Sequence, residues 1–122
     1  MALVTMKEIV DKAWKEGNCI PAFNVGSLEM VRGAIRAADE LEVPIIIQIA
    51  ERLLKYAPLE IIGPGMVQAA REAKVDVAVN FDHSRTEETI RKALEYGFTS
   101  VMYDGSTDEF EENIRGTKNI VD

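Results

Sequence analysis

The chain is poor in cysteine, in positive charge and in long apolar runs, and each shortage excludes something. Cys19 is the only cysteine among 122 residues, so no disulfide can form within the chain and a reducing cytoplasm is the expected setting. Lys and Arg number 14 against 21 Asp and Glu, a formal net charge of −7 that repels a phosphate backbone or an anionic bilayer. Nucleic acid and membrane surfaces are thereby excluded as expected partners. The run Ile45-Ile46-Ile47 stops at Gln48, far short of the ~20 residues that a membrane-crossing helix needs. The opening stretch Met1 to Glu8 lacks the charged, apolar and small-residue order of a secretion signal. No low-complexity segment, linker or internal repeat stands out.

What is present describes a chain that folds. Hydrophobic residues make up 47% and charged residues 29%, too much core material for intrinsic disorder, and the length suits one domain rather than two. Thr5 followed by Glu8 has capping-box spacing, and Ile9, Val10, Ala13 and Trp14 recur helically until Gly17. Cys19 to Phe23 then reads as a short strand bounded by Asn18 and Asn24. Ser27 can cap a helix with Leu28, Val31, Ala34, Ile35, Ala38 and Leu41 on one face, ended by Pro44.

Ile45 to Ala50 lacks two-residue alternation, as expected of a strand covered on both faces in a parallel sheet. Pro58 and Gly63-Pro64-Gly65 break the pattern before Met66, Val67, Ala69, Ala70 and Ala73 resume helical spacing. Val75 to Phe81 is the third strand. Ser84 with Glu87 suggests a second capping box, ahead of a helix that Gly97 stops. Phe98 to Tyr103 is the fourth strand, and Asp108 with Glu111 opens a last helix that contains Gly116. Strands alternating with helices give an α/β fold with a parallel sheet, organised as one (β/α)4 unit over residues 1–122 with an extra helix at its N-terminus.

Ligands in parallel α/β folds bind beyond the carboxyl ends of the strands, so the residues where each apolar run turns polar carry the chemical information. These are Asn24, Glu51, the pair Asp82-His83, and Asp104-Gly105-Ser106. An Asp can move a proton and a neutral imidazole can ligate a metal. Consecutive side chains on an extended strand point to opposite faces, so Asp82 and His83 serve one site only where the strand gives way. Bland readings stand beside these. Asp82-His83 before a helix can be a cap and a solvated ring, Asn24 and Asp104-Gly105-Ser106 turn residues, and Glu51 with Arg52 a surface pair.

Taken together, Pro21-Ala22-Phe23-Asn24-Val25, Leu28-Glu29-Met30-Val31, Phe81-Asp82-His83, Gly97 to Met102, Asp104-Gly105-Ser106 and Phe110 to Ile114 resemble the amino-terminal part of the class II, zinc-dependent ketose-bisphosphate aldolases. The resemblance runs over nearly the whole chain. It implies reversible cleavage of fructose or tagatose 1,6-bisphosphate to dihydroxyacetone phosphate and glyceraldehyde 3-phosphate. It also implies about half of a (β/α)8 barrel, which usually needs ~250 residues. By position, Asp82 matches the acid/base of the family, His83 the first of three zinc histidines, Asp104 a residue near a second cation site, and Asn24, with Ser106, the substrate pocket. Zinc in that chemistry is the Lewis acid that polarises the ketose carbonyl.

The chain departs from the pattern at several points. Asn80 stands where the family usually has His, Ser84 where it has Gly, and Ala50-Glu51-Arg52 where it tends to have Ser-Glu-Gly. His83 is the only histidine, whereas a catalytic zinc takes three protein ligands. A second half-barrel, or a second copy of this chain covering the open strand edges and an uncovered apolar sheet face, is the expected partner. Two alternatives accompany this reading: a self-associating half-barrel without catalysis, and a flavodoxin-like receiver, for which Asn24-Val25-Gly26 supplies no acidic pair.

Overall fold

A computed structural model describes residues 2–122; Met1, the first residue of the stretch read against a secretion signal, lies outside them. The elements are α1 (Met6–Glu16), β1 (Ala22–Asn24), α2 (Leu28–Leu41), β2 (Ile45–Ala50), a 3-10 turn (Glu51–Leu53), α3 (Leu59–Glu72), β3 (Val77–Ser84), α4 (Glu87–Tyr96), β4 (Ser100–Tyr103) and α5 (Phe110–Val121). Local chemistry explains most boundaries. The Thr5 hydroxyl accepts from the Glu8 amide while the Glu8 carboxylate accepts from the Thr5 amide at 2.7 Å, which satisfies two otherwise orphaned donors of α1. Ser27 caps α2 by accepting from the Met30 amide. Gly97 closes α4 at φ 96°, a left-handed conformation that a side chain would strain. No helix among the described residues is long and apolar enough to cross a membrane.

All pairings are parallel and the strand order is β1-β2-β3-β4. Sequential order distinguishes a stretch of barrel wall from a doubly wound sheet, whose order reverses at a switch point, and so sets the flavodoxin-like alternative aside. One face carries Ile45, Ile47, Ile49, Val77, Val79 and Phe81, which are buried against Val31 and Ile35 of α2, Ile62 and Met66 of α3, and Ile90 of α4. The Phe81 and Phe98 rings meet edge to face at 6.2 Å within this core. The opposite face is divided along its length. At the amino ends of the strands Ile46 and Ala78 pack on Ile9 of α1. One level higher Asn24, Gln48, Asn80 and Ser100 stand in register across all four strands, and the Asn80 amide donates to Gln48 at 3.1 Å.

Several sequence expectations need correction. The second face is not an uncovered apolar one, because α1 closes its lower part and amides occupy its middle. Gly63-Pro64-Gly65 lies inside α3 rather than before it. Tertiary packing overrides local propensity there: a Cβ on Gly63 would stand 3.3 Å from the rings of Phe98 and Tyr96, and one on Gly65 would run into Leu28. Ser84 does not cap α4; it ends β3, fully buried, with its hydroxyl on the Met102 carbonyl, and Thr86 caps instead by accepting from the Thr89 amide. Helix α5 begins at Phe110 without a side-chain cap. Strand β1 starts at Ala22 and includes Asn24, whereas Cys19 to Pro21 precede it.

Gly116 shows why α5 carries a helix-weakening residue. A Cβ built there would overlap the Tyr103 ring and hydroxyl, so the bare backbone is what lets α5 lie against β4. Alanine is the better helix former by ~1 kcal/mol, yet overpacking costs ~1–3 kcal/mol, so crowding is expected to win. G116A should therefore lower the denaturant midpoint, and part of the loss should return in a Y103F background. Equal or greater stability of G116A would show that α5 is free to shift away from β4.

Candidate active site

The site forms where β3 stops obeying the alternation of an ordinary strand. Register with β2 holds through Ala50 opposite Asp82, while against β4 the pairing passes from Phe81–Val101 to Ser84–Tyr103 with a shift between them. Three steps on one strand against two on the other make a β-bulge. His83 absorbs the extra residue at φ 47°, a left-handed conformation unusual for a residue with a side chain. The consequence is directional. Asp82 and His83 would point to opposite faces of a regular strand, but the bulge turns the ring back so that its Nε2 lies 4.0 Å from Asp82 Oδ2. The Asp82 side chain is 12% exposed and that of His83 57%, so the acid is sheltered and the ring open.

Asp104, one residue beyond β4, faces the other edge of the ring. His83 Nδ1–H donates to Asp104 Oδ2 at 2.8 Å, and Asp104 Oδ1 accepts from the Ser106 amide at 3.0 Å. The Ser106 side chain first, then His83 and the Ser106 amide, hold the Asp104 carboxyl well below the usual carboxylate range. The hydrogen bond to Asp104, followed by the charge of Asp82, raises the His83 imidazole above its usual 6.5, while the charge of Arg52 works against it. Nδ1 engaged by a carboxylate leaves Nε2 as the free face of the ring, the arrangement found behind metal-ligating histidines. Among the described residues, however, no three of His, Cys, Asp and Glu lie together in a way that could hold a metal ion. His83 therefore fits a zinc as one donor, and these residues do not complete its site.

Of the sequence-predicted residues, Asp82, His83, Asp104 and Ser106 come together at the carboxyl ends of β3 and β4. Asn24 does not join them. It shares their sheet, but in register with Gln48 and Asn80 it stands two strands from β3, about 10 Å across the ladder at ~4.8 Å per strand. Glu51 is no surface partner of Arg52. Its carboxylate reaches the β3–α4 corner, where it accepts from the Arg85 amide and the hydroxyls of Thr86 and Thr89. Arg85, which sequence reasoning missed, donates to Thr107 at 2.8 Å and to Asp108 at 3.0 Å beyond β4. Only its neighbourhood to Asp82-His83 hinted at it.

The ring and Asp104 make a measurable pair. Because the folded-state value is raised, the interaction stabilises the fold below the unfolded imidazole value and fades as pH rises through the folded one. An NMR titration of the His83 ring protons should give a midpoint above 6.5 that D104N moves downward. An identical midpoint in both proteins would mean that Asp104 does not hold the ring in solution.

The chain is similar to known proteins over almost its whole length. The family model of the class-II fructose-bisphosphate aldolases matches residues 4–122. Fructose-bisphosphate aldolase of Thermus caldophilus is 42% identical over 120 residues, covering 98% of this chain and 39% of that protein. Sulfofructosephosphate aldolase of Alkalicoccus urumqiensis is 35% identical over 122 residues, covering 100% of this chain and 42% of that protein. The crystal structure of the YdjI aldolase from Escherichia coli K12 aligns with a TM-score of 0.92 at 36% identity, covering 98% of this chain and 46% of that one. The chain thus spans about two fifths of the length of these curated relatives, and its four βα units correspond to about half of a (β/α)8 barrel. Sheet order fits, and the match of the family model over almost every residue leads to one conclusion: the chain belongs to the class-II fructose-bisphosphate aldolase family.

Proposed function

We propose that residues 1–122 form a (β/α)4 half-barrel that carries the proton-transfer group and one metal donor of a class II aldolase site, acting on a ketose 1,6-bisphosphate. The observation that supports this reading is the sheltered Asp82 carboxylate beside the open Nε2 face of His83 at the carboxyl end of β3. In cleavage, Asp82 takes the proton from the C4 hydroxyl as the C3–C4 bond breaks. The bonding electrons pass to C3 of the dihydroxyacetone phosphate half, which takes up a proton from solvent there before release, and C4 leaves as the aldehyde of glyceraldehyde 3-phosphate. In condensation the same carboxyl returns its proton to the aldehyde oxygen. His83, with donors from outside these residues, would hold a zinc, and the chemistry such an ion would supply is Lewis acidity toward the ketose carbonyl.

Asp104 holds the ring with one oxygen and the Ser106 amide with the other, so it orients His83, and the remaining lone pairs of its carboxylate would serve a second cation nearby. Ser106 and the more distant Asn24 would border the substrate. A reducing cytoplasm is the setting that a lone, exposed cysteine suits.

The two further donors call for a partner, either another half-barrel or a second copy. Exposed apolar side chains at the outer strands favour association: Leu41 beside β1, and Phe110 and Val121 on α5 beyond β4. Two copies closing on each other would repair the fold, but their two His83 rings would stand on opposite walls, so a non-catalytic assembly is the second reading.

Complementation tests the first. This chain mixed with the carboxy-terminal half of a class II aldolase and zinc should cleave fructose or tagatose 1,6-bisphosphate, and D82N should lower the rate by about 10²–10⁴-fold. Cleavage no faster than in the D82N mixture would remove Asp82 from the chemistry.

A further inference from the structure

Glu51 has no part in the proton transfer described above, yet its carboxylate is fully occupied. Oε2 accepts from the Arg85 amide, and Oε1 accepts from Thr86 Oγ1 at 3.1 Å and Thr89 Oγ1 at 2.9 Å. All three donors belong to the corner that joins His83 to α4, more than thirty residues further along the chain. Arg85 extends the connection through its guanidinium to Thr107 and Asp108. The turns that follow β2, β3 and β4 are therefore tied into one hydrogen-bonded rim.

The corner needs such an anchor because of the residue inside it. A left-handed non-glycine residue is disfavoured by its own backbone and persists only where its surroundings fix it. On the near side, Asp82 is fixed by its register with Ala50. On the β4 side, Ser84 is fixed by the Asp104 amide on its carbonyl at 2.7 Å and by its own hydroxyl on the Met102 carbonyl. The remaining freedom is the path of the chain beyond Ser84, and the Glu51 carboxylate takes it up at Arg85. Helix capping alone does not account for these bonds, since Thr86 already caps α4 through the Thr89 amide.

We propose that Glu51 is a positioning residue: by anchoring the Arg85–Thr89 corner to the end of β2, its carboxylate keeps His83 left-handed and so keeps the ring on the Asp82 side. The importance of this for catalysis rests on the reading of Asp82 and His83 given above, but the geometry is measurable without substrate or metal. In a ¹⁵N-labelled sample of the chain, a left-handed residue brings its own amide proton and Hα unusually close, which gives a strong intraresidue cross-peak. The wild type should show this at His83. E51A should reduce the peak to the level of the extended neighbours and speed exchange of the Arg85 amide at least tenfold. E51Q, whose side-chain carbonyl still accepts from that amide, should restore both. An E51A chain that keeps the His83 cross-peak and the Arg85 protection overturns the proposal.

If E51A does not fold, T89V provides the test, because it removes one donor to Oε1 and leaves the Thr86 cap in place. Faster exchange at Arg85, with the amide of Val79 in mid-strand unchanged, supports the anchor; unchanged exchange at Arg85 rejects it. A failed aldol assay with intact His83 geometry would count against the catalytic reading and leave the positioning of His83 standing.

Discussion

A regular β-strand cannot aim two consecutive side chains into one space, and the chemistry proposed for Asp82 and His83 depends on doing so. The bulge at the end of β3 resolves the conflict with one left-handed residue. Its cost is local and its support is distributed. Ser84 is locked into β4, Asp104 receives the ring, and Glu51 with Arg85 takes hold of the chain just beyond. These contacts come from the carboxyl ends of β2 and β4 and from the turn beyond β3, so the parallel sheet is what supports the bulge.

The two faces of the sheet have separate duties. The outer face, Ile45, Ile47, Ile49, Val77, Val79 and Phe81 under three helices, supplies the hydrophobic burial that holds the strands in register. The inner face grades from an apolar floor on α1, through the Gln48–Asn80 amides, to the charged rim. Burial in the lower levels keeps the upper one fixed without demanding that it be apolar. Asn80 lies directly below Asp82 on the same strand face, and its amide is paired with Gln48 rather than left to compete for the acid.

Much of the architecture is legible in the residues, because caps and β-branched runs act locally. Thr5 with Glu8, Ser27, Gly97 and the Ile45–Ala50 run mark their elements as they stand. The failures share a cause. Gly63-Pro64-Gly65 reads as a break, but the glycines are small because Phe98, Tyr96 and Leu28 crowd α3. Ser84 reads as a cap, but the bulge draws it into β3. Of the site, Asp82, His83, Asp104 and Ser106 could be found from their places at strand ends. Their convergence could not, since it depends on a backbone angle at His83 that no residue type announces. Glu51 was legible as a strand-end residue but its role was not, and Arg85 was hidden altogether: their partners lie far off in sequence, and a carboxylate next to an arginine suggests a nearer one.

The arrangement stands or falls with the side of the ring that carries the proton. Above the titration of His83, a long-range ¹⁵N–¹H correlation spectrum of the imidazole separates the two neutral tautomers by their nitrogen shifts. A ring held by Asp104 as described carries its proton on Nδ1 and leaves Nε2 bare toward Asp82. A ring protonated on Nε2 would place the lone pair against a carboxylate, which is repulsive, and would mean that the bulge does not present His83 as a donor at all.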